Sequence, residues 1–109
     1  MEIEQQQHGE MLVLTPHGRI DSNTSPHFEE QLLSAVQEGH VDMVLNFCHI
    51  DYISSAGLRV LLMAAKRVKP KGGRVALCAV QAHIQEVFRI SGFISLFQFH
   101  ATLEDAMGR

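Results

Sequence analysis

A chain of 109 residues, 46% hydrophobic and 19% charged, is sized for one domain with a single modest core and is too apolar to be disordered. No apolar run approaches the roughly 20 residues of a membrane span, and the acidic, polar start "MEIEQQQHGE" is not a secretory signal. A net charge of −3, with no aromatic residues interleaved among the basic ones, argues against nucleic-acid binding.

A first short strand is expected around Ile3. "MLVLTPHGRI" reads as a strand through Leu12, Val13 and Leu14 that resumes after Pro16, and so should be bent or lie at an edge. "TSPHFEEQLLSAVQEG" is a helix, with Ser25 as its cap, Pro26 at the first helical position and Gly39 at its stop. Its inward face is Phe28, Leu32, Ala35 and Val36. "VDMVLNFCHI" is apolar enough for one central strand covered on both faces.

"DYISSAGLRVLL" then opens a helix whose stripe is Leu58, Leu61, Leu62, Ala65 and Val68, closed by Pro70 and Gly72-Gly73. "RVALCAV" is a second buried strand, and "QAHIQEVFRISG" a helix with Ile84, Val87 and Phe88 inward and Gly92 at its end. "LFQFH" is a last short strand, before a helical turn over residues 103–107. Cys48 and Cys78 both fall in apolar segments and read as buried, reduced thiols of a cytoplasmic protein. Strands alternating with helices of these lengths predict one α/β domain of βαβ units.

In such sheets, function gathers beyond the carboxyl ends of parallel strands, where loops meet helix N-termini. Ser54 and Ser55 stand at such a junction. Unpaired N–H groups and the helix dipole there would suit a phosphate on Ser55. The plainer reading is that Ser55 caps the helix, worth about 1 kcal/mol. A cap leaves Ala56-Gly57 unexplained, and these small residues would keep the approach to the serine open.

Other chemistry has less support. The seven histidines show no ligand spacing, "SSAG" lacks the glycine of a hydrolase elbow, and "KPKGGR" is no P-loop, so neither catalytic residues, metal nor cofactor is expected. Six of the nine Lys and Arg lie between Arg59 and Arg74, as a solvated helix face or as a docking surface.

"DYISSAGLRVLL", preceded by "VLNF" and followed by "GGRVALCAV" and "VFRISGF", resembles the STAS domain of bacterial anti-sigma factor antagonists. "HGRIDSNTSPHFEEQL" is similar to the family's segment leading into its first helix, and the likeness runs from about Met11 to Met107. It implies a single STAS domain over residues 1–109: a mixed, mainly parallel sheet of four to five strands, with about four helices mainly on one face.

The resemblance also implies a partner switch. The unphosphorylated antagonist binds a serine-protein kinase of the histidine-kinase-like ATPase type, itself an anti-sigma factor, and frees its target. Phosphorylation ends the binding, and a metal-dependent serine phosphatase resets it. The matching acceptor is Ser55, and Asp21 matches the family's neighbouring aspartate. The partner-binding set would be Asp21, Ser22, Thr24, Ser54, Ser55, Ala56, Gly57 and Arg59. Many relatives read Asp-Ser-Ser-Gly or Asp-Ser-Thr-Gly where this chain reads Ser54-Ser55-Ala56-Gly57, which leaves Ser54 as an alternative acceptor. Such variants also serve switches whose output is secretion or motility. The competing reading is a STAS scaffold or ligand-binding module that is never phosphorylated.

Overall fold

The computed structural model describes residues 1–108. β1 (Glu2–His8) and β2 (Met11–Ile20) form an antiparallel hairpin. α1 (Ser25–Gln37), β3 (Asp42–Asn46), β4 (Ile50–Ile53) and α2 (Ser55–Val68) follow. The chain ends with β5 (Arg74–Cys78), α3 (Ala82–Ser91), β6 (Gln98–His100) and α4 (Leu103–Ala106). The sheet runs β1-β2-β3-β5-β6, with β4 beside the second half of β2, and every pairing except β1·β2 is parallel.

The sheet has six strands rather than four to five, because the apolar stretch expected as one strand is two. β3 stops at Asn46, the chain turns through Phe47 to His49, and β4 restarts along β2. Cys48 falls in that turn and is exposed, contrary to expectation, whereas Cys78 is buried and its thiol is pushed up to about 11 by desolvation. β1 also runs further than Ile3 suggests. Ile3 is its only apolar residue, so no hydrophobic alternation marks its extent, and a polar strand suits an exposed edge.

β2 is an inner strand, not an edge. On the side away from β1 it pairs with β3 up to Leu14 and with β4 from Gly18 onward. Pro16 falls between the two, where its missing N–H breaks no rung on that side. A register shift between Gly18 and Arg19 bends the strand towards β4.

Alternation along each strand then divides the core. Leu12, Leu14, Met43, Leu45, Val75 and Leu77 face α1, α2 and α3 in the larger cluster, while Val13, Val44, Ala76 and Cys78 meet α4 on the other face. Arg74 ties the second face together, donating to Asp42 Oδ1 (2.7 Å), Gln98 Oε1 (2.8 Å) and the Ala106 carbonyl (3.0 Å).

Two details of the helices differ from the sequence pattern. Thr24, not Ser25, is the cap residue of α1, and its hydroxyl is engaged elsewhere; Ser25 is already helical and buried. In α2 the buried arc is Gly57, Leu58, Val60, Leu61, Ala64, Ala65 and Val68. With about 100° per residue, Leu62 falls at the margin of that arc and is only half-buried. The arc is wide because α2 packs against both the sheet and α1. Leu61→Ala should therefore cost about 2–5 kcal/mol in urea unfolding, and Leu62→Ala clearly less. Equal losses would contradict this orientation of the helix.

Candidate functional site

The carboxyl ends of β2 and β4 lie side by side, Ile20 opposite Ile53, and the chain leaves both towards solvent. The Ser54 N–H donates to the Ile20 carbonyl (2.8 Å), so the start of α2 is fixed to the end of β2. Gly57 completes the joint. A Cβ there would collide with Ile20 and press on Ile53, so only glycine lets the first turn of α2 sit this close to the sheet. Gly57 is thus buried packing rather than an opening beside the serine, and Ala56 is half-buried.

The two serines have different tasks. Ser54 is the cap, in extended conformation, and its Oγ accepts from the Gly57 N–H (3.2 Å). Ser55 is the first helical residue, exposed, and its hydroxyl makes no hydrogen bond among the described residues. The capping role considered for Ser55 therefore belongs to Ser54. Arg59 lies one turn beyond Ser55 on the same face of α2, exposed and without an ion-pair partner among the described residues.

Asp21 follows Ile20 directly and organises the adjoining loop. Its Oδ1 accepts from the backbone N–H of Asn23 (2.9 Å) and of Thr24 (3.1 Å). Its own N–H donates to Thr24 Oγ1 (2.9 Å), and that hydroxyl donates to the Arg19 carbonyl (2.7 Å). Thr24 is half-buried by these contacts, while Ser22 is exposed at the loop tip. The Thr24 backbone bond above all holds the Asp21 carboxyl below its ordinary range, helped by the Asn23 backbone bond, the Thr24 hydroxyl and Arg19, against some desolvation.

Two neighbours escaped the sequence reading. The Arg19 guanidinium lies 4.2 Å from the centre of the Tyr52 ring, and its Nε is 3.8 Å from Asp21 Oδ2. Each stands two residues before a site residue on one of the paired strands, a spacing that placed them beside the site once β4 was known to be a strand. Among the described residues no three His, Cys, Asp or Glu side chains converge as a metal site, and no helix is long and apolar enough to cross a membrane.

Comparison with known proteins decides the family. Residues 2–106 match the family model of the STAS domain. BtrV of Bordetella bronchiseptica, described as an anti-sigma factor antagonist, is 41% identical over 87 residues, covering 80% of this chain and 75% of that protein. The chain belongs to the STAS domain family, among the anti-sigma factor antagonists. An anti-sigma factor antagonist of Thermotoga maritima has the same fold, with a TM-score of 0.92 at 17% identity over 97% of this chain and 92% of the other. Bacillus SpoIIAA, solved in a phosphorylated form, superposes with a TM-score of 0.77 at 21% identity, covering 99% of this chain and 98% of that one.

Two measurements check this geometry. Ser54→Ala should lower stability by about 1 kcal/mol through loss of the cap, and Ser55→Ala by less than about 0.5 kcal/mol; the reverse order would place the cap on Ser55. The bonds to Asp21 favour its ionised form, so they stabilise the fold above pH 3.8, the ordinary aspartate value, and are lost as pH falls through the lower folded-state value. An NMR titration of the Asp21 carboxyl should therefore have its midpoint below 3.8. A midpoint at or above that value would mean the loop bonds do not hold in solution.

Proposed function

We propose that this chain is the switchable antagonist of a bacterial partner-switching pathway, a regulatory binding protein and kinase substrate rather than an enzyme. In its unphosphorylated form it binds a serine-protein kinase of the histidine-kinase-like ATPase type that doubles as an anti-sigma factor, and so releases that protein's target. Phosphorylation of Ser55 ends the complex, and a metal-dependent serine phosphatase restores it. The setting is the cytoplasm.

The observation that carries this reading is the division of labour between the serines: Ser54 is committed to the cap, and Ser55 presents an unbonded hydroxyl to solvent. A kinase needs such a hydroxyl. A phosphate there would bring a charge of about −1.5 to −2 to the first turn of α2, beside unpaired N–H groups and one turn from Arg59. The docking surface would comprise Ser22, Ser55 and Arg59 at its exposed rim and the half-buried Asp21 beside them, with Thr24, Ser54, Ala56 and Gly57 setting the backbone beneath. Relatives carrying the antagonist name support the antagonist part of this reading, and a solved structural neighbour in a phosphorylated form is its precedent for phosphorylation.

With a cognate kinase and ATP, wild type should gain one phosphate and Ser55→Ala none, while Ser55→Ala still binds the kinase. Ser55→Asp should weaken that binding at least tenfold, about 1.4 kcal/mol. Labelling of Ser55→Ala at the wild-type rate, together with its loss in Ser54→Ala, would move the acceptor to Ser54.

A further inference from the structure

We propose that the far end of α2 carries a second docking site, which takes an acidic amphipathic helix from another protein. The charge pattern is the first ground. Residues 52–85 contain six Lys and Arg and no Asp or Glu, a formal +6, whereas the rest of the chain sets three Lys and Arg against twelve Asp and Glu, a formal −9. The basic segment is thus set in an acidic protein of net charge −3.

The second ground is shape. A groove of about 270 Å³ opens between the last turns of α2 and the segment leading into β6, floored by Ala65, Val75 and Phe97 and rimmed by Lys66, Lys69 and Leu96. Arg74 also borders it but is engaged by Asp42, Gln98 and the Ala106 carbonyl. Lys66 and Lys69 are exposed and have no ion-pair partner among the described residues. Leu96, one of the four large apolar side chains that stand exposed among the described residues, is on this rim (41%), and two of the others, Ile90 and Phe93, precede it closely in the chain without lining the groove.

Lysines at a helix C-terminus complement its dipole and aid solubility. That explains neither the exposed leucine between them and β6 nor the exclusion of every carboxylate from 34 consecutive residues, 52–85. An apolar floor with a cationic rim matches a helix whose apolar stripe is flanked by Glu or Asp. Nucleic acid fits less well, since the rim presents an aliphatic Leu96 rather than aromatic faces for bases. A bilayer fits less well too, because the site is concave and the acidic remainder of the chain would be repelled by anionic lipid.

Ser55, the first residue of α2, and Lys69, which caps its far end, are fourteen positions apart, about 21 Å at 1.5 Å per residue. That is more than twice the screening length of about 8 Å at physiological salt. The second site therefore stands independently of the Ser55 reading, and both sites could be occupied together.

The test is an NMR titration of the isotope-labelled full chain with a synthetic peptide of about four helical turns, carrying Leu and Phe at i, i+3, i+4 and i+7 and Glu elsewhere. Amide shifts are expected at Lys66, Lys69, Val75, Leu96 and Phe97. Affinity should fall at least tenfold in K66E/K69E, in L96D, and when Gln replaces Glu in the peptide, and should be unchanged in S55D. Melting temperatures of the variants confirm that they are folded. No shifts at millimolar peptide, or equal affinity for a scrambled peptide, would overturn the proposal. So would tighter binding to phosphatidylserine–phosphatidylcholine vesicles, which would make the face a membrane contact. Self-association abolished by K66E/K69E would overturn it in favour of a second copy of the chain.

Discussion

The close approach of Gly57 to Ile20 is the constraint on which the site depends. β2 ends at Ile20 and α2 begins just after its cap Ser54, and Gly57, having no side chain of its own, lies directly against the Ile20 side chain. One backbone hydrogen bond, from Ser54 to the Ile20 carbonyl, locks the joint. The residues of the candidate site are a short step from it along the chain: Arg19 and Asp21 flank Ile20, Tyr52 precedes Ile53, Ser55 precedes the pair Ala56-Gly57, and Arg59 follows it. A side chain at position 57 would lift the first turn of α2 from the sheet and move all of these relative to one another. The cap, the loop and the exposed hydroxyl are consequences of that packing.

The arrangement also depends on β2 serving two neighbours in succession. Its first half belongs to the main sheet beside β3, and its second half carries β4. Without the shift at Gly18, Ile53 would not face Ile20, and the serines would emerge elsewhere. Pro16, which read as a sign of a bend or an edge, stands in an inner strand that bends shortly after it, and is tolerated because it lies where one partner has ended and the next has not begun.

The layered α/β fold and all three longer helices were legible from hydrophobic period and end signals, because their buried faces recur at regular spacing. The four-residue β4 was not, since its exposure runs in, out, out, in, and neither a strand nor a helix period describes that. Missing β4 hid the proximity of Arg19 and Tyr52 and left Cys48 in an apparent strand. The choice of cap was hidden for a different reason. Ser54-Ser55 and Thr24-Ser25 are each two hydroxyl residues at a helix start, and sequence alone does not say which of each pair will be the cap residue and which the first residue of the helix. Tertiary bonds decide: Ile20 fixes Ser54 outside α2, while Thr24 turns its hydroxyl back to Arg19 and Asp21. The basic concentration from Arg59 onward was visible from the start, but of the apolar floor only Ala65 lies in α2 itself; Val75 and Phe97 are set side by side by the β5·β6 pairing.

Placing an acceptor hydroxyl at the first position of a well-anchored helix constrains how a phosphate could act. Ser55 makes no hydrogen bond that modification would break, and the residues behind it are held by burial: Leu61 and Val68 are fully buried, Leu58 nearly so. Each large side chain of that kind contributes roughly 1.5–3 kcal/mol to keeping α2 in place. Against this, a phosphate interacting with the exposed helix start contributes about 0.3–1 kcal/mol, and in the direction that favours the helix as it stands. Neither sign nor size gives α2 a reason to move. On the proposed mechanism the phosphate therefore acts where it sits, by placing charge in a docking surface that must otherwise shed its water, and the partner rather than the fold registers the change.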